Sequence, residues 1–479
     1  MKNMKKWWLI VASLLILAPS VDGQAASVRE RLSLNFMVTK LCRVSAISLA
    51  IMVQLFSGGL TTDTKVARAQ GKPTYKFDFG PGKVAPGYTQ VMPANVYTKE
   101  TGFGFEPGAT IVCQDRGTKD ALRSDFCTSD KPFYFSVALP EGNYNVTVTL
   151  GDAQGETTTT VKAELRRLMI ERVQTARGKF VTRAFTVNVR TSKIAGNGEV
   201  KLKDREKTTE LWSWDEKLTL EFNNSRPCVN AIEITRTDEA PTVYLLGDST
   251  VCDQPSEPYA SWGQMLTRFF KPGVAIANNA ESGESLRSSL AAHRLDKVSS
   301  TMKPGDYLII QYGHNDEKEK GFGVGAFTTY KADLKKFVAE ARKRGGIPVL
   351  VTPVQRRTFD QAGKITNSHG DYSEAVRQVA KEENVPLIDL NAMSKTFYET
   401  LGPEKSAVAF KTGDGTHHNN YGSYELAKCI VTGIKAARLG IAKYLLNDTA
   451  PFDPAHPDPV ETFSIPASPL STNTKPLGS

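Results

Sequence analysis

Four segments of this sequence hold residue types that could do chemistry: Gly247-Asp248-Ser249-Thr250, Asn279-Ala280-Glu281-Ser282-Gly283, Gly313-His314-Asn315-Asp316 and Asp414-Gly415-Thr416-His417. A serine hydroxyl becomes a useful nucleophile only when a base removes its proton. His417 is the candidate base for Ser249. Asp414, three residues earlier, can reach the imidazole on a tight turn, fixing its tautomer and stabilising the imidazolium. A developing oxyanion needs donors. The backbone N–H groups of Ser249 and Gly283 and the side-chain amide of Asn315 are suitable, and glycine at 283 lets backbone approach closely. A fifth segment, Gln355-Arg356-Arg357, offers two guanidinium groups suited to bidentate pairing with carboxylates. The chemistry these residues fit is acyl transfer, with no metal and no cofactor.

Each residue also has a plainer reading. Gly-Asp-Ser-Thr is good helix-capping chemistry, so Ser249 could be an N-cap; the company of the other segments favours a nucleophile. His418 competes with His417 as base, but the three-residue spacing from Asp414 favours His417 and leaves His418 to line the site or cap a helix. His314 reads as a packing or hydrogen-bonding residue, and Asp248 and Asp316 as residues that orient loops. Cys252, three residues from Ser249, is more simply a buried thiol. Arg356 and Arg357 read equally well as a solvated surface pair. Trp212 and Trp214 could stack on sugar rings, although tryptophans so placed are more often core. Trp262 reads as packing at the start of its helix.

Two different periodicities position these residues. From Thr74 to about Thr237 the pattern is strand-like. Residues 133–139 and 144–150 are apolar runs separated by Pro140-Glu141-Gly142-Asn143, which predicts a hairpin. Tyr144, Val146, Val148 and Leu150 alternate with polar residues, one face buried and one wet. Further runs at 184–189, 217–222 and 229–235 predict an antiparallel β-sandwich. From Thr242 strands and helices alternate: strands near 243–246, 274–277, 307–311, 347–352 and 386–390, helices near 261–270, 284–298, 327–343, 372–382 and 421–437. That alternation predicts a parallel sheet covered on both faces. The candidate segments then follow, or approach, one edge of that sheet, where α/β folds place ligands. The domain boundaries expected are 70–238 for the sandwich, 239–446 for the α/β domain and 447–479 for a tail, extended because 7 of its last 29 residues are proline.

In order and spacing the four segments resemble the SGNH, or GDSL, hydrolase superfamily. Ser249, Gly283, Asn315 and His417 fall on its four signature residues and Asp414 on its triad acid; no G-x-S-x-G elbow surrounds Ser249. The resemblance covers roughly residues 242–445. Within the superfamily, 279–288, 313–316 and 414–417 are most similar to rhamnogalacturonan acetylesterases, which implies a flavodoxin-like three-layer α/β fold and removal of acetyl groups from pectin. The first half resembles, more loosely, the galactose-binding or malectin-like sandwich that accompanies some such esterases. One departure bears on the substrate: many relatives carry Arg directly after the oxyanion glycine, where this chain has Glu284. Arg287 remains, and with Arg356, Arg357 and His418 it is a candidate substrate contact. The expected partner is an acetylated plant or algal polysaccharide, rhamnogalacturonan first. An acetylesterase of xylan or another polysaccharide, a lipase or thioesterase with the same triad, and a non-catalytic polysaccharide-binding protein are the competing readings.

Composition narrows the class. The chain has 479 residues, 40% hydrophobic and 23% charged, ordinary for a globular protein. Its formal charge is +9, with 60 basic and 51 acidic side chains. Residues 1–69 account for much of the excess, holding 9 basic and 3 acidic residues. A near-neutral remainder argues against nucleic acid as a partner. No apolar stretch of about 20 residues exists, so no integral membrane domain is expected. Residues 1–69 read as an export signal, twice over: a basic start and an apolar run at 7–19, then Lys40, Arg43, an apolar run at 45–56 and Ala67-Arg68-Ala69. Met37 is a candidate alternative start, and the expected destination is secreted or periplasmic. Of six cysteines, Cys42 lies within that region. Cys113 and Cys127 are the expected disulfide, closing a short loop, and no cysteine–histidine spacing suggests a metal site.

Overall fold

A computed structural model describes residues 74–196 and 198–477; the export-signal reading of residues 1–69 lies outside them. Among the described residues, thirteen strands precede the parallel sheet: β1 (Thr74–Phe79), β2 (Thr89–Val91), β3 (Phe103–Phe105), β4 (Val112–Asp115), β5 (Asp125–Thr128), β6 (Phe133–Ala138), β7 (Gly142–Gly151), β8 (Thr157–Ala163), β9 (Arg167–Thr175), β10 (Phe180–Val189), β11 (Lys217–Arg226), β12 (Cys228–Val229) and β13 (Ala231–Arg236). They form two five-stranded sheets, ordered β10-β7-β13-β1-β2 and β3-β6-β11-β8-β9, and a small sheet β12-β5-β4. Between the large sheets lies one core rich in phenylalanine, with Phe77, Phe79, Phe105, Phe133, Phe135 and Phe222 all buried. Phe79 and Phe135 meet edge-to-face at 4.8 Å, a geometry that adds about 0.5–1.5 kcal/mol per pair beyond burial. Cys113 and Cys127 sit opposite each other on β4 and β5 and are disulfide-bonded.

The predicted hairpin over 133–150 does not form. β6 belongs to one large sheet and β7 to the other. Each run carries an apolar face, and the two faces meet across the sandwich rather than edge to edge. Pro140 has no N–H for a hairpin ladder, and its carbonyl instead accepts from Tyr144 Oη at 2.7 Å where the chain crosses between sheets. The alternation inside β7 is as expected: Val146, Val148 and Leu150 are buried, with half-buried polar residues between them.

The second half is a parallel sheet of β14 (Thr242–Gly247), β15 (Ala275–Asn278), β16 (Tyr307–Gln311), β17 (Ile347–Val351) and β18 (Leu387–Ile388), ordered β15-β14-β16-β17-β18. This is the flavodoxin-like strand order, whose crevice opens beside the first strand at the carboxyl edge. Helices cover both faces: α1 (Trp262–Leu266), α2 (Leu286–Ala291), α3 (Arg294–Thr301), α4 (Lys331–Lys343), α5 (Tyr372–Glu382), α6 (Leu390–Lys405) and α7 (Asn420–Ala436). Val243 and Leu245 join α1, α6 and α7 in one core, while Tyr244 and Leu246 join α2 to α5 in another, as the two-residue period of a strand requires.

Two helical expectations change. The helix predicted over 284–298 is two helices, broken where His293 takes a left-handed conformation with φ 61°. The strand predicted over 386–390 is short, because Asp389 caps α6, its carboxylate accepting from Ala392 N. The Gly402-Pro403 kink masks α6 in the sequence pattern. The sandwich docks on the α/β domain through the β8–β9 turn. Arg166 donates to the carbonyls of Gln254 and Tyr259 at 3.0 and 2.8 Å, and Arg167 pairs with Asp253 at 2.7 Å. The proline-rich tail straps the same junction: Ser468 Oγ donates to Glu221, and Thr472 N to the Glu257 carbonyl. Among the described residues no helix is long and apolar enough to cross a membrane.

Candidate active site

Three strand ends and one turn assemble the site. Ser249 follows β14. The Asp248 carbonyl just before it accepts from Val251 N and Cys252 N, both at 3.0 Å. In a trans peptide the N–H lies opposite the C=O, so this turn aims the Ser249 N–H away from its own hydrogen bonds. Gly247 is required behind it: a Cβ there would meet the Gln311 carbonyl oxygen at 2.6 Å. Gly283 follows β15 with φ +77°, a left-handed backbone that glycine adopts without strain. That loop is registered on the first, since Glu281 N donates to the Gly247 carbonyl at 3.1 Å. Asn315 follows β16, and its Nδ2 donates to the Glu284 carbonyl at 2.9 Å, which brings the second and third loops together.

Asp414 and His417 lie on a closed turn before α7, where Asp414 N donates to the Lys411 carbonyl and Lys411 N to the His417 carbonyl. His417 Nδ1 lies 2.9 Å from Asp414 Oδ2, and His417 Nε2 lies 2.9 Å from Ser249 Oγ. Ser249, Asp414 and His417 are all buried. Burial alone would raise the Asp414 carboxyl. The hydrogen bond and charge of His417, with the N–H groups of Thr416 and His417, outweigh burial and hold it well below the usual carboxylate range. Asp414 is thus an anion that accepts only, which leaves the proton on His417 Nδ1 and Nε2 free to accept from Ser249.

The surrounding residues sort by what they touch. His314 Nδ1 lies 3.1 Å from Asp248 Oδ2, joining the first and third loops, and burial pushes the imidazole down to about 4. Asp316 accepts from Leu286 N at 2.9 Å and ties the third loop to α2. Burial pushes the Cys252 thiol up to about 12, which suits a buried thiol rather than a nucleophile. Trp262 is fully buried, with Nε1 donating to Gln311 at 2.8 Å. Trp214 is buried under Arg190 at 4.8 Å, and half-buried Trp212 packs edge-on against Tyr134.

Four candidate substrate contacts lie apart from the triad's hydrogen bonds. His418 is buried, with Tyr398 Oη 2.6 Å from its Nε2. Arg357 is spent on the Ser406 hydroxyl and the Pro403 carbonyl. Arg287 pairs with Glu319 at 3.4 Å, with its side chain half exposed. Arg356 pairs with Glu317 at 2.5 Å and reaches the His314 carbonyl, in the third signature segment, at 3.4 Å. The residues that sequence reasoning missed lie in the β10–β11 connection. Glu206, Glu210 and Glu281 place one carboxylate oxygen each within 4.8 Å of one another, all buried, the carboxylate trio among the described residues that could hold a metal ion. Arg205 and Arg294 pair into the same cluster, which supplies cationic charge there already.

The sequence matches the GDSL-like Lipase/Acylhydrolase family over residues 245–423 and the beta-agarase/YXIM esterase-like, galactose-binding domain-like family over residues 75–190. It is 39% identical over 220 residues to the rhamnogalacturonan acetylesterase RhgT of Bacillus subtilis, covering 43% of this chain and 94% of that protein. It is 28% identical over 411 residues to the uncharacterized esterase YxiM of the same species, covering 82% of this chain and 97% of that one. The crystal structure of YxiM aligns with a TM-score of 0.42 at 26% identity, over 77% of this chain and 99% of that one. The chain therefore belongs to the GDSL-like lipase/acylhydrolase family, with a galactose-binding-like domain ahead of the hydrolase, and is a serine esterase homologous to rhamnogalacturonan acetylesterases.

Proposed function

We propose that this protein is an exported esterase that removes acetyl groups from a polysaccharide, acetylated rhamnogalacturonan first among them, through a Ser249 acyl-enzyme. The hydrogen-bonded line from Asp414 through His417 to Ser249 carries the mechanism. Ser249 Oγ attacks the acetyl carbonyl carbon while His417 Nε2 takes its proton. The oxyanion is held by the N–H groups of Ser249 and Gly283 and by Asn315. His417 then gives its proton to the departing sugar oxygen, leaving an acetyl-serine. Water, deprotonated by His417, attacks that ester, and collapse of the second oxyanion, with His417 returning the proton to Ser249 Oγ, releases acetate and restores the serine. The substrate assignment rests on the relative named a rhamnogalacturonan acetylesterase, and export on the two signal-like segments within residues 1–69.

The test is acetate release by residues 70–479 from acetylated rhamnogalacturonan-rich pectin and from acetylxylan, with Ser249→Ala as control. The expected result is release mainly from pectin, abolished in Ser249→Ala at a nearly unchanged thermal midpoint. Release mainly from xylan would overturn the substrate; release that survives Ser249→Ala would overturn the mechanism.

A further inference from the structure

The second oxyanion donor, the Gly283 N–H, is one end of the Ser282–Gly283 peptide, and the other end is gripped from outside the hydrolase domain. The Ser282 carbonyl accepts from Lys203 Nζ and from Arg205 Nη2, each at 2.7 Å. Both cations belong to the connection between β10 and β11 of the sandwich. Each also holds a carboxylate flanking that peptide: Lys203 pairs with Glu284 at 2.7 Å, and Arg205 with Glu281. Glu281 and Glu284 are buried. The connection is pinned in turn by Arg294 on Glu206 at 2.7 Å and by Lys201 N on the Ala292 carbonyl at 3.0 Å.

We infer that Lys203 and Arg205 are positioning residues of the esterase: by clasping the Ser282 carbonyl they fix the Gly283 N–H in the oxyanion hole, so that the sandwich domain completes the active site. This rests on the Ser249 acyl-enzyme reading. In a trans peptide the C=O and N–H point in opposite directions, so two donors on the carbonyl set where the N–H points. Gly283, at φ +77°, is a residue whose flanking peptide can rotate at low steric cost. Rotation would break two hydrogen bonds from charged donors, which are about twice as strong as neutral ones. The cations also draw electron density toward the carbonyl oxygen, which strengthens the N–H as a donor. Glu284 thereby acquires a role in this chain: its carboxylate holds Lys203 while its carbonyl holds Asn315, the third donor.

The experiment measures hydrolysis of 4-nitrophenyl acetate by the full chain carrying Lys203→Met, Arg205→Met, Arg205→Lys or the pair Lys203→Met/Glu284→Gln. It also measures inhibition by a boronic acid, whose adduct with a serine is a tetrahedral anion like the intermediate. We expect kcat to fall at least about 10-fold in each Met variant, the order of loss set by a weakened oxyanion donor, with KM changed less than about threefold. Boronate affinity should weaken by the same factor as kcat/KM. Arg205→Lys should recover part of kcat. Lys203→Met/Glu284→Gln, which leaves no unpaired buried charge, should regain the wild-type melting temperature without regaining kcat. The proposal falls if that folded double variant keeps kcat within about twofold, or if kcat drops in the Met variants while boronate affinity stays constant. Should Ser249→Ala hydrolyse the ester as fast as wild type, the acyl-enzyme reading falls and takes the proposal with it.

Discussion

Replacing Asp414 with Asn tests the triad at its most constrained atom. Asp414 Oδ1 accepts from Thr416 N at 2.8 Å and His417 N at 3.1 Å, while Oδ2 faces His417 Nδ1 at 2.9 Å. An asparagine in the same rotamer has one acceptor and one donor end. Turning the amide nitrogen toward the two backbone N–H groups would leave both unpaired in a buried site, at about 1–3 kcal/mol each. The oxygen therefore stays on the backbone and the NH2 faces the imidazole. His417 Nδ1 must then accept, its proton moves to Nε2, and Nε2 confronts Ser249 Oγ at 2.9 Å with a proton of its own. It cannot take another from the serine. A tautomer trapped this way costs about 10⁴ in kcat, or about 5.4 kcal/mol at 1.36 kcal/mol per factor of ten. The assay is steady-state hydrolysis of 4-nitrophenyl acetate beside a thermal melt, because the retained backbone bonds predict a folded variant. A folded Asp414→Asn protein within about tenfold of wild-type kcat would refute the role given to the Asp414–His417 bond.

Three further outcomes are expected. Asn315→Ala should lower kcat by about 10²–10³ while KM changes little, because its amide acts on the oxyanion; a rise in KM at constant kcat would make it a ground-state contact. Removing the disulfide with Cys113→Ser/Cys127→Ser should cost about 3 kcal/mol, read as a lower urea midpoint, with kcat at low temperature unchanged because the bond lies in the sandwich; an unchanged midpoint would contradict the loop-closure account. Two buried histidines should make an acid-labile contribution to stability. Burial pushes His314 down to about 4 and His418 to about 3, whereas unfolded histidine titrates near about 6.5. Below that value the unfolded state binds more protons at these two groups, so their contribution is complete above about pH 6.5 and is lost as pH falls toward the folded values, by up to about 1.4 kcal/mol per pH unit for each histidine, while carboxyls that burial pushes up, such as Glu210 at about 7, act in the opposite direction. Relative to wild type, His314→Gln should gain urea midpoint as pH falls below about 6.5; an equal slope in both proteins would refute this contribution of His314.

The sequence by itself brought out the candidate site residues and the layer that carries them. Ser249, Gly283, Asn315, Asp414 and His417 were legible because each sits at a strand end or tight turn, where the local pattern sets backbone geometry: Gly-Asp-Ser-Thr after an apolar run, a glycine that lets backbone approach closely, a histidine three residues past an aspartate. The parallel sheet was legible from strand–helix alternation. The tertiary structure alone decided the rest, because it depends on partners far along the chain. Nothing local separates a hairpin from a crossing between sheets, since residues 133–139 and 144–150 present the same apolar faces either way. His418 directly follows a signature residue and Arg357 carries a guanidinium suited to carboxylates, yet packing turns them toward Tyr398 and toward Pro403 and Ser406. Conversely, Lys203 and Arg205 sit in a run of charges, Lys203-Asp204-Arg205-Glu206-Lys207, that no motif marks. Only the docking of the sandwich brings Lys203 and Arg205 onto the carbonyl of Ser282, 79 and 77 residues away. Short-range pattern encodes which side chains can react. Where a charged side chain spends its hydrogen bonds is settled by burial, and burial is a property of the assembled domains.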